Sequence, residues 1–123
     1  MIKNFEEITV GLTARELNII PIFIKFISDY DQSNPIKASK IVAALDEILE
    51  AQGLGIKMNE VRVRKCSNHI RTNSLLPLIA TSKGYFVSYD QDVIAMQIQS
   101  LYERAEAVNA SADGLSLFVN NNK

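Results

Sequence analysis

KMNEVRVRKCSNHIRTN, residues 57–73, leads after three residues into PLIATSKGYFVS, residues 77–88. The first piece reads as a helix. Val63, Cys66 and Ile70 fall within about one-sixth of a turn of one another at 100° per residue, which defines a buried face. The opposite face gathers Arg64, Lys65, Asn68 and Thr72, with Arg62, His69 and Arg71 on its shoulders. The second piece reads as a hairpin, with strand residues Leu78–Ala80 and Tyr85–Val87 on either side of the turn Thr81-Ser82-Lys83-Gly84. Strand alternation then turns one of Tyr85 and Phe86 inward and the other outward.

Charge sets this stretch apart. Residues 57–88 carry six Lys/Arg against Glu60 alone, a net of +5. Residues 1–56 carry 5 cations against 8 carboxylates, and residues 89–123 carry 2 against 5, so each flank has a net of −3. The whole-chain charge of −1 therefore conceals one basic island, which creates a local positive potential suited to an anionic partner.

At 123 residues the chain suits one domain, able to bury about two-thirds of the surface it exposes when unfolded. Its 47% hydrophobic and 22% charged residues are those of an ordinary water-soluble globule. Cys66 is the only cysteine, so no internal disulfide can form, which fits a reducing cytoplasm. The longest apolar run, Ile19 to Phe26, is interrupted by Pro21 and Lys25 and falls far short of the roughly 18 residues of a membrane span. MIKNFEEITV lacks the apolar core of a signal peptide. A cytoplasmic protein without a membrane association is expected.

The remaining elements follow from local signals. Residues 1–11 form an N-terminal arm. Thr13-Ala14-Arg15-Glu16 is a capping box, and Leu17, Ile20, Ile24 and Ile27 supply one apolar stripe, with Pro21 kinking a single first helix. Asp29 to Pro35 is a turn-rich loop, and Ile36 is placed as a short strand. A second helix runs from Ala38 to Gln52, with Ile41, Leu45, Ile48 and Leu49 inward and Asp46, Glu47 and Glu50 outward. Gly53 and Gly55 end it, and Asn59 caps the basic helix. A last helix starts at a second capping box, Ser88 to Gln91, and keeps an apolar face of Val93, Met96, Ile98, Leu101, Ala105 and Val108. Gly114 ends it, leaving SLFVNNNK as a frayed tail. The fold class expected is α+β and predominantly helical. In detail it is a winged helix-turn-helix with a kinked first helix, a short β-hairpin wing and a long C-terminal helix, spanning residues 12–112 with a flexible tail at 113–123.

Between Val63 and Val108 the chain resembles small winged-helix proteins of bacterial phages, prophages and mobile elements. The residues that carry the resemblance are V-R-K at 63–65, N-H-I-R-T-N at 68–73, L-I-A-T-S-K-G-Y-F-V at 78–87 and S-L-Y-E-R-A-E-A-V at 100–108. Together they cover a little over a third of the chain; Leu12-Thr13 and Pro21 are similar to the family's first helix. Cys66-Ser67 departs from the pair of aliphatic residues expected there. The resemblance implies a winged helix, and DNA binding in a phage or mobile-element setting.

The function expected is double-stranded DNA binding, in replication or transcription control. Arg62, Arg64, Lys65, Asn68, His69, Arg71 and Thr72 would meet the major groove or its phosphates, with Lys83 at the tip of the wing. A single small module of this kind, with roughly four to six phosphate contacts, would show a salt slope of about −4 to −5. A homodimer through the C-terminal helix, by way of Met96, Leu101, Tyr102 and Val108, would supply a second half-site. The rival reading is a protein-interaction module, a phage adaptor whose basic face takes an acidic partner without touching DNA. Cys66 and His69 are two metal ligands at most, so no metal or other cofactor is expected. One histidine beside a buried cysteine makes a poor catalytic pair, and Gly53-Leu54-Gly55 lacks the rest of a phosphate loop. Neither an enzyme nor a small-molecule substrate is expected.

Overall fold

The computed structural model describes residues 11–121. Of the N-terminal arm only Gly11 falls within them. The chain divides into two compact units, Met1–Ser88 and Tyr89–Lys123, and the last helix lies in the second.

The first unit opens with a 3₁₀ turn, Glu16–Asn18, followed by α1, Ile19–Ile27. Instead of a single helix kinked by proline, the structure has a restart that places Pro21 in the first turn of α1. A proline is tolerated there because its missing N–H would lack an intrahelical acceptor anyway. The restart also shifts the apolar stripe. Ile19, Ile20, Phe23 and Ile27 are buried, Ile24 is half-buried, and Leu17, expected inside, lies at the surface. α2, Ala38–Ala51, buries Ile41, Leu45 and Leu49. α3, Glu60–Thr72, buries Val63, Cys66 and Ile70 as the spacing predicts, and Ser67 with them. Ser67 is satisfied locally, since its hydroxyl donates to the Val63 carbonyl at 2.7 Å. These three faces, with Ile36, Met58 and Leu78, form one core. Burying each large side chain contributes about 1.5–3 kcal/mol.

β1, Leu78–Thr81, and β2, Gly84–Val87, pair antiparallel with Ile79 opposite Phe86 and Ala80 opposite Tyr85. Tyr85 and Phe86 do fall on opposite faces, yet Tyr85 is half-buried against the core and Phe86 is 3% exposed, so neither points freely outward. Ile36 adds a third strand of one residue. Its N–H donates to the Tyr85 carbonyl at 2.9 Å, and its carbonyl accepts the Tyr85 N–H at 2.7 Å. The observed class is α+β and predominantly helical, with a two-stranded hairpin.

In the second unit α4 runs from Gln91 to Asn121. Its cap is Asp90 rather than Ser88: the carboxylate accepts the Asp92 N–H at 2.9 Å and the Val93 N–H at 3.3 Å. An aspartate adjacent to the first turn outcompetes a serine two residues earlier because it satisfies two open donors at once. Gly114 does not stop the helix. A glycine inside a helix costs only about 1 kcal/mol, and Gly114 keeps negative φ. The expected tail is therefore helical up to Asn121.

Gly84 (φ +133°) leaves no room for a side chain, since a Cβ there would lie 2.6 Å from the Ile36 carbonyl carbon and oxygen. Gly84→Ala should lower stability by about 3 kcal/mol in urea denaturation, through strain and loss of the Ile36 bridge. The ends of α2 and α3 share a hydrogen-bond pattern. Leu54 N–H reaches Leu49 and Gly53 N–H reaches Glu50; likewise Leu75 reaches Ile70 and Ser74 reaches Arg71. The left-handed residue is Gly53 in one and Ser74 (φ +52°) in the other. Gly53→Ala should cost about 1 kcal/mol and Ser74→Gly should gain a similar amount, read by the same denaturation.

Candidate functional site

The charged side chains of α3 divide into two groups, and the divider is Glu16. The T-A-R-E capping box forms as read. Thr13 N–H donates to Glu16 Oε1 at 3.0 Å, and Glu16 N–H donates to the Thr13 hydroxyl at 3.1 Å. The same carboxylate then accepts Arg62 Nε at 2.9 Å and Lys65 Nζ at 3.1 Å. Glu16 is only 6% exposed, which alone would raise its pKa. The Thr13 N–H, Arg62 and Lys65 overcome that burial and hold the carboxyl at about 2.

Arg62 also donates from Nη1 to the Lys57 carbonyl, and Arg15 from Nη2 to the Gly55 carbonyl. Arg15, Lys57, Arg62 and Lys65 thereby line an open cleft of about 370 Å³ with Glu16. The turn before α3 is further tied by Asp46. Expected to face outward, it is half-buried and accepts the Met58 N–H. Asn59 caps α3 as read, accepting the Arg62 N–H at 2.8 Å.

The sequence-predicted site residues thus separate. Arg62 and Lys65 join at Glu16. Arg71 turns the other way and donates from Nε to the Leu78 carbonyl at 2.9 Å, bracing β1 against α3. His69 is half-buried. Arg64, Asn68 and Thr72 are exposed at successive i, i+4 positions, one row on the face away from the core. Lys83 is exposed at the hairpin tip, on a separate element. That tip is held from below, because Lys37 Nζ donates to the Ser82 carbonyl at 2.6 Å. Glu16, Asp46 and Lys37 position the surface without having been singled out for it. Glu16 announced its cap through the T-x-x-E spacing, but a partner 46 residues away has no local signature.

The Cys66 thiol is buried, and burial first, then the nearby Glu16 charge, push it up to about 12. It is a small apolar core residue at neutral pH. Among the described residues no group of three or more His, Cys, Asp or Glu side chains is gathered, and no helix is long and apolar enough to cross a membrane.

No family model, curated protein or solved structure matches this chain.

Because the folded pKa of Glu16 lies below its ordinary 4.5, its contribution to stability is fully present above about pH 5. That contribution, about 3 kcal/mol at most, is lost as pH falls from 4.5 toward 2. Glu16→Gln should cost about 2–3 kcal/mol at pH 7, since it leaves two partly buried cations uncompensated. It should also flatten the acid limb of stability against pH. Urea titrations across that range check both.

Proposed function

We propose that this chain is a winged helix that binds double-stranded DNA, with α3 as the helix that enters the major groove. The observation that carries the reading is the exposed row Arg64, Asn68 and Thr72. Arg is the side chain that pairs with guanine or phosphate, Asn pairs bidentately with adenine, and Thr meets a thymine methyl or a phosphate. Two further features support it. The order helix, bridging strand Ile36, helix, helix, hairpin is that of a winged helix, and the hairpin carries Lys83 where a wing meets the backbone. The setting, replication or transcription control in a phage or mobile element, rests on the resemblance of residues 63–108.

Within this reading Arg62, Lys65 and Arg71 are structural first. Glu16 takes the charge of the first two, and Arg71 braces the hairpin. The cations left for phosphate are Arg64, Lys57 and Lys83, so the salt slope should be about −3, shallower than a count of every cation gives.

Fluorescence anisotropy of a mixed-sequence duplex of about 20 base pairs, titrated at several salt concentrations, tests this. Arg64→Ala should weaken binding roughly 10-fold and reduce the slope by about 1. Lys65→Ala should lower stability yet leave the slope nearly unchanged. A folded wild-type protein that ignores DNA at low salt would sink the reading and favour the adaptor alternative, in which the same face takes an acidic protein.

A further inference from the structure

From Ile98 onward α4 carries a regular apolar pattern. Ile98, Ala105, Ala112 and Val119 recur every seven residues, and Leu101, Val108 and Leu115 recur every seven residues between them. The spacing alternates 3 and 4 without a break for three heptads, an a/d seam in coiled-coil terms. We propose that α4 self-associates through this seam, forming a coiled coil with the α4 of a second copy of the chain.

Four observations favour that occupant. First, the period is 3.5 rather than 3.6. On a straight helix such a stripe drifts about 20° per heptad, so a flat surface loses it, whereas a helix with the same drift can follow it by supercoiling. The α4 of a second copy meets that requirement by construction. Second, the seam is exposed from Ala105 onward, with Val108 63%, Leu115 68% and Val119 68% exposed, while Leu101 near its start is half-buried. Third, the charged residues of this stretch, Glu103, Arg104, Glu106 and Asp113, all lie off the seam, and Gln99 and Glu103 bond to each other on the outer side at 3.1 Å. Only Arg104 occupies a position flanking the seam, so two copies meet with little like-charge repulsion. Tyr102 and Phe118 flank it as aromatic covers.

The fourth observation is intrinsic propensity. Between 109 and 116, Asn109, Ser111, Asp113, Gly114 and Ser116 are all poor helix formers, and every residue of this stretch is exposed. Helices of such composition hold together by packing an apolar face, not by propensity. From 98 to 119 the seam is about 32 Å long at 1.5 Å per residue, enough for a continuous interface along the helix. The small Ala105 and Ala112 allow two axes to approach closely. Of the four residues expected at the dimer surface, the seam keeps Leu101 and Val108, leaves Tyr102 as a flanking cover and drops Met96, and the inference is independent of any DNA contact.

Leu115 and Leu117 are two residues apart and similarly exposed, at 68% and 60%, but only Leu115 is on the seam. Sedimentation equilibrium of the full chain over roughly 1–100 µM should give the mass of a dimer for wild type. Leu115→Glu and Val108→Glu should raise the dimer dissociation constant by about 30-fold or more. Leu117→Glu and Met96→Glu should leave it within about 3-fold. Amide NMR dispersion of the first unit checks that each variant remains folded. A wild-type chain monomeric at every concentration would overturn the proposal. So would seam and off-seam variants that behave alike.

Discussion

One carboxylate organises the basic half of this protein. Glu16 closes the turn before α1 by bonding Thr13, and reaches across to Arg62 and Lys65 on α3. The segment before α1 and the helix 46 residues later are thereby fixed to each other by charge as well as by apolar contact. A paired, buried carboxylate contributes modest net stability, because desolvation offsets much of its attraction. Its stronger effect is on orientation. With two cations held at the core edge, the helix is set so that Arg64, Asn68 and Thr72 face water.

The hairpin is secured on both sides by hydrogen bonds to its backbone. Along β2, Val87 N–H donates to the Tyr30 carbonyl and Tyr85 exchanges two bonds with Ile36. Along β1, Leu78 accepts the Arg71 guanidinium. Lys37 fastens the turn from outside. A two-stranded ribbon alone is marginally stable in water, so these links are what make it a fixed feature of the surface. Gly84 belongs to the same device, since only a residue without a side chain brings β2 this close to Ile36.

Local signals in the sequence translated into structure almost one for one. T-A-R-E became a capping box, Asn59 a cap, Gly53 a left-handed helix end, and Val63, Cys66 and Ile70 a buried face. Each is decided by residues within about four positions, where propensity and hydrogen bonding act without help from the fold. The structure departs from these local signals where two local solutions compete or where the deciding group lies elsewhere in the chain. Asp90 displaced Ser88 because both can cap and the nearer carboxylate satisfies two donors. Leu17 gave way to Ile19 and Phe23 because a 3₁₀ turn rotates the stripe, and Ile24 stays at its half-buried edge. Of the candidate DNA-reading residues, composition identified the helix but could not divide its cations, since the divider sits in another segment.

Cys66 lies at the centre of this arrangement, and it is the only thiol in the chain. It is enclosed by the core and held in its unreactive protonated form by burial. A thiol reagent can therefore modify it only when α3 lifts from α1 and α2, and the labelling rate becomes a clock for that opening. The protein carries its own probe of core dynamics, with no engineered residue and no competing sulfhydryl.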